Sequence, residues 1–293
     1  FWRGGRMVAA AESALSWALA LVCAGQLAHA GGLVRAEARD GAVPLIIEAI
    51  GACSCPASLL TPLALLPSGA LLSAGAAAAL ALEEETQRSS RLATSLSLYA
   101  ALSLIARTAA QSAVWPETRW INAPTLALSA AYVRPRKLHL GSACGQGVQW
   151  YILPSLGTAL LGALCSVLPA GWLARGCFEC VGAAPRFPAA AIREAGASTL
   201  LLGLSSMQLS RHQGEASPSH GRSQQSLALA TAVSGLSRAW QLLGASGQGM
   251  RPLARILVVS GHAATGGSSL LWLGRRLRPW RRRAQPKQAQ KPK

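Results

Sequence analysis

"VQWYILPSLGTALLGALCSVLPAGWLA", residues 148–174, holds no ionisable group other than the Cys165 thiol and the Tyr151 phenol. A bilayer core about 30 Å thick is crossed by roughly 20 mostly apolar residues in helical form, and this stretch exceeds that length. Trp150, Tyr151 and Trp172 stand near its two ends, where amphipathic rings favour the headgroup zone. One membrane-spanning helix from Val148 to Ala174 is the expectation.

Three similar runs bounded by charge lie elsewhere, from Met7 to Val34, Leu92 to Val114 and Leu253 to Gly274. Between Val43 and Leu82 the only charge is Glu48, but Pro44, Pro56, Pro62 and Pro67 interrupt the stretch, so it reads as two spans or as one span and a re-entrant piece. Its second part repeats small residues every fourth position, as Ala70, Ala74, Ala78 and Ser73, Ala77, Ala81. Such spacing lets helix backbones approach closely in lipid, and internal packing is its expected use. A further span is expected from Ser226 to Ala245, interrupted by Arg238. Ile121 to Val133 and Gly196 to Leu209 fall below spanning length and are expected at the interface. The chain is thus read as all-α, a polytopic integral membrane helical bundle of about six transmembrane helices over residues 1–274. A basic extramembrane tail follows over residues 275–293.

Composition agrees with that class. Of 293 residues 51% are hydrophobic and only 13% charged, with mean hydropathy +0.30, whereas a soluble domain carries about a quarter charged residues to cover its surface. The net charge of +17 suggests nucleic acid at first sight, yet nine of the cations follow Gly274. Nucleic acid is therefore not an expected partner; anionic lipid and acidic protein surfaces are. By the positive-inside tendency the tail belongs on the matrix, stromal or cytoplasmic side. The chain opens on Phe1 and not on methionine, as removal of an organelle-targeting segment would leave it. The stretch "RHQGEASPSHGRSQQ" from Arg211 is the most linker-like connection, and no internal repeat is visible.

Ionisable residues inside expected spans are the best pointers to function, because they are costly in hydrocarbon and usually face a partner, a cavity or a cofactor. They are Glu12, Glu48, Arg107, Arg238 and His262. Glu12 and Arg107 lie near helix ends and are expected to reach the interface. The Cys177/Cys180 pair has C-x-x-C spacing, half of a zinc or iron–sulfur shell, but Cys53 and Cys55 are poorly spaced to complete it. Small buried or free thiols are expected instead, and no metal site. His212, Glu215 and His220 share one linker and read as solvated polar residues.

His262 stands among small residues in "VVSGHAATGGSSLLW", a setting in which a planar cofactor can approach a helix and an imidazole can ligate iron. The run His262, Gly266, Leu270 and Trp272 resembles the haem-bearing helix of the succinate dehydrogenase membrane anchor. That resemblance implies His262 as a haem ligand. It departs from the pattern where Ser268 replaces the arginine expected after the glycine, and where no further span follows. A histidine hydrogen-bonded within a helix bundle explains the residue without a cofactor.

No acid, base, nucleophile or metal ligand finds a second member, so a non-enzymatic protein is expected, with bound lipid and no cofactor. The reading is a structural accessory subunit of a large energy-transducing complex, respiratory or photosynthetic, that supports assembly and packing beside other membrane subunits. The mitochondrial inner membrane is the expected location and the plastid thylakoid the alternative. The other functions weighed are a transporter or channel lined by Glu48, Arg107, Arg238 and His262, and a haem- or quinone-binding anchor using His262.

Overall fold

Proline marks where several helices begin, because at the first helical position its missing N–H is one that a helix leaves unpaired in any case. In a computed structural model of the chain Pro116, Pro218 and Pro252 each open a helix. The described residues are a few between 18 and 28, then 61–62, 64–82, 90–109, 116–131, 152–178, 186–211, 218–244, 247 and 249–283. They form α1 (Leu66–Leu82), α2 (Ser90–Ala109), α3 (Pro116–Ala131), α4 (Ile152–Val167), α5 (Ala170–Cys177), α6 (Arg186–Arg211), α7 (Pro218–Leu243) and α8 (Pro252–Arg283). No strand occurs among the described residues; one isolated bridge joins Phe178 to Met250.

The all-helical class is as expected, but the division into six spans is not reproduced. Among the described residues one helix, over Pro252–Arg275, is both long and apolar enough to cross a membrane, while Leu66–Leu82, Leu92–Ala106 and Ile152–Val167 are apolar but shorter. The run chosen as the best span breaks in two. Pro169 cannot donate to Cys165 and disfavours helical geometry at Leu168, so α4 ends at Val167 and a new helix starts at Ala170. Sixteen residues of α4 reach about 24 Å, short of the bilayer core.

The opposite error concerns Gly196 to Leu209. Arg193 and Glu194 end the apolar run in the sequence, yet the helix continues through them, and α6 spans 26 residues at the centre of the bundle. It packs most extensively against α4 and then α2, with further contacts to α1, α7 and α8. Likewise the linker-like stretch after Arg211 gives its second half to α7, which begins at Pro218. Much of the tail also folds: α8 runs on through Arg283, since extending a helix costs far less than starting one, and cations suit its C-terminal end.

Small residues set the packing. Gly162, Gly196 and Gly203 sit in the α4–α6 seam, Gly235 and Gly266 face each other between α7 and α8, and Gly75 of α1 lies against Ala230 of α7. Of the stripe expected to pack, Ala70, Ser73, Ala74 and Ala77 are buried, and Ala78 and Ala81 are half-buried. Hydroxyls stitch the same seams. Ser155 donates to Ser206 Oγ at 2.9 Å, Thr158 Oγ1 meets Thr265 Oγ1 at 2.8 Å, and Ser223 donates to the Ala79 carbonyl at 2.8 Å. A leucine-rich cluster including Leu72, Leu80, Leu92, Leu96, Leu201 and Leu202 fills the space between α1, α2 and α6.

The outside is apolar as well. Leu229, Val233, Leu236, Trp240 and Leu243 form an exposed stripe along α7, and Leu153, Leu156, Leu160 and Leu164 form one along α4. After Gly244 the chain turns through Gly249, whose φ of 85° suits a residue without a Cβ. Arg255 Nε then donates to the Leu242 carbonyl at 2.9 Å, pairing one of the carbonyls left free at the end of α7.

Candidate functional site

Arg238 follows Ser234 and Gly235 on the face of α7 that turns inward, and none of its surface is exposed. A guanidinium removed from water needs its donors paired. Nε donates to Ser68 Oγ of α1 at 2.7 Å, Nη2 to Ser198 Oγ at 2.7 Å and Nη1 to Thr199 Oγ1 at 3.1 Å, the last two from α6. One side chain thereby ties three helices. Gly69 makes the room: a Cβ there would lie 3.2 Å from Nη2 and 2.9 Å from Ser198 Cβ. The partners are neutral hydroxyls, and each donates its own proton to a carbonyl, Ser68 to Leu65 and both Ser198 and Thr199 to Ala195.

Thr199 also faces His262. Its Oγ1 is 3.5 Å from His262 Nε2, while His262 Nδ1 lies 2.7 Å from the Val258 carbonyl one turn earlier on α8. The structure therefore brings two of the expected residues, Arg238 and His262, to opposite sides of one threonine. Glu12 and Glu48 lie outside the described residues. Arg107 belongs to α2, with its side chain outside the description.

A second polar centre was missed in the sequence. Glu194 is buried on α6; Ser103 of α2 donates to its Oε1 at 3.4 Å, and Asn122 Nδ2 of α3 donates to Ser103 Oγ at 2.9 Å. The signal was present: Glu194, Ser198, Leu201 and Ser205 recur at helical spacing, which puts the carboxylate on the buried face. Its neighbour Arg193 disguised it as the edge of a span.

Beside His262 lies a cavity of about 70 Å³, walled by side chains of α4, α5, α6 and α8 and including the free thiols of Cys165 and Cys177. Ligand pockets of ordinary size measure about 300–1,000 Å³. A haem does not fit here, so ligation of iron by His262 has no support from this geometry. Cys180, the other half of the C-x-x-C pair, lies outside the described residues, and among those described no three His, Cys, Asp or Glu side chains gather as a metal site would require.

Fold and site together define a helical bundle closed by small residues, with an arginine held on hydroxyls at its centre. No protein-family model, curated protein or solved structure matches the chain.

Proposed function

We propose that the chain is a polytopic, membrane-embedded accessory subunit of a large energy-transducing complex, respiratory or photosynthetic, in an organelle membrane. The mitochondrial inner membrane is the first choice and the plastid thylakoid the second. The observation that carries the membrane reading is the distribution of residue types. Hydroxyls, glycines and alanines meet inside the bundle beside a leucine cluster, while a second set of leucines faces out with Trp172 and Trp240, Trp240 being 78% and Leu253 70% exposed. Over its apolar stretch α8 is only 22% buried, unlike the core helix of a soluble domain. In lipid there is no hydrophobic force between helices, so close backbone approach and interhelical hydrogen bonds hold them together.

The scaffold reading draws on the use made of the polar groups. Arg238 engages donors with hydroxyls of α1 and α6, and Glu194 joins α6 to α2. These contacts fix helices against one another, which accounts for the residues without a transport path. Arg275, Arg276 and Arg278, at the apolar helix's end, suit anionic headgroups or an acidic neighbouring subunit.

The test is extraction of the full chain from its native organelle membrane, first with alkaline carbonate and then with mild detergent. Retention in the carbonate pellet is expected, followed by co-purification in fixed stoichiometry with the membrane subunits of one complex. Release by carbonate overturns the membrane placement; a chain running alone as monomer or homodimer overturns the accessory role.

A further inference from the structure

Both ring nitrogens of His262 have to be accounted for, since the residue is 1% exposed. Nδ1 points at the Val258 carbonyl, which only accepts. A neutral imidazole has one proton, and this bond assigns it to Nδ1, leaving Nε2 as a lone-pair acceptor. It contacts Thr199 Oγ1 at 3.5 Å, long for a hydrogen bond. A hydroxyl has one proton to give, and that of Thr199 goes to the Ala195 carbonyl at 2.8 Å, while its oxygen accepts from Arg238. Nε2 is therefore a buried acceptor that no group in the fold satisfies well, and its ring borders the cavity.

The walls restrict what can supply the missing donor. Leu161, Leu173, Ile192 and Val258 line much of the space, and its polar lining is limited to Thr61, Thr199, His262 and the thiols of Cys165 and Cys177. A buried water is held by two to four polar partners, whereas most of this lining is apolar and the Thr199 hydroxyl is already engaged by Ala195 and Arg238. An engineered apolar cavity of about 150 Å³ takes the six carbons of benzene, so 70 Å³ corresponds to about three or four heavy atoms. We propose that this cavity binds a small, largely apolar molecule that donates one hydrogen bond to His262 Nε2, with the chemistry of a short aliphatic alcohol. The site is built from the bundle itself and does not depend on the accessory role.

The test uses the full chain with ¹⁵N-labelled histidine, the His262 resonances being assigned by their loss in His262→Gln. Propan-1-ol and methoxyethane are titrated in parallel; they share one formula, but only the alcohol has a donor. A saturable shift of the Nε2 resonance is expected with propan-1-ol, several-fold larger than with methoxyethane. Ala195→Leu, which fills the cavity while leaving the Ala195 carbonyl in place, abolishes it; if that variant does not fold, Leu161→Phe serves the same purpose. Equal responses to the two isomers, no saturable response, or a response that survives filling of the cavity would each overturn the proposal.

Discussion

A methyl group placed on Gly162 of α4 would lie 2.2 Å from the backbone nitrogen of Leu200 in α6, 2.6 Å from its Cα and 2.8 Å from the Gly196 carbonyl oxygen. All three obstacles are backbone, so no side-chain rotation relieves them. Ordinary contact begins at 3.4 Å, and the difference from 2.2 Å is 1.2 Å, the distance by which α4 and α6 would have to part. Overpacking of this kind costs about 1–3 kcal/mol. Parting the helices also weakens dispersion along the seam, where a gap of about 0.5–1 Å already forfeits a quarter to a half of each contact. Against this, alanine gains about 0.8–1.0 kcal/mol over glycine in a helix interior. A Cβ added to Gly157, on the same helix, would meet nothing within 4 Å, so Gly157→Ala should receive that gain alone. Gly162→Ala receives the same gain, so it cancels between the two variants, which should therefore differ by the overpacking cost of about 1–3 kcal/mol. Thermal unfolding of the full chain in detergent, followed by far-ultraviolet circular dichroism, should place Gly157→Ala at or above the parent and Gly162→Ala clearly below it. If Gly162→Ala unfolds with or after Gly157→Ala, the α4–α6 seam is not as closely packed as described.

Ser198→Ala leaves a buried N–H of Arg238 without its acceptor and should cost about 1.5–3 kcal/mol in the same unfolding assay. Arg238→Met removes the three hydrogen bonds that tie α7 to α1 and α6, so stability should fall; unchanged or raised stability would contradict the role of these contacts in fixing the helices. In a variant that keeps only Trp240 of the nine tryptophans, brominated acyl chains should quench the fluorescence strongly, and unquenched emission in liposomes would count against a lipid-facing α7. Pro169→Ala restores a backbone donor and should fuse α4 with α5, seen as new amide-exchange protection at residues 169–171; unchanged exchange there would show that tertiary packing, not proline, makes the break.

Helix content was legible because apolar and small residues recur along the chain in long runs with few breakers. Membrane boundaries were not. Hydropathy treats every charge alike, and so it ended one run at Arg193 and Glu194 although the helix continues and Glu194 is bonded inside the bundle. It also passed over Pro169, because one proline in an apolar run barely changes a mean hydropathy but removes a donor and a helical geometry at one point.

Of the candidate residues, the sequence by itself singled out Arg238 and His262, since a charge or an imidazole in an apolar helix is unusual wherever it lies. It also marked the small-residue stripe of α1 as a packing surface. Only the tertiary structure decided that Ser68, Ser198 and Thr199 converge on the guanidinium, that Thr199 stands between it and His262, and that a cavity opens there. Serine and threonine are common in helices and bond their own carbonyls equally well, so nothing local distinguishes those that face an arginine. Which hydroxyls meet it depends on how α1, α6 and α7 cross, and that is set by where glycines allow two backbones to touch.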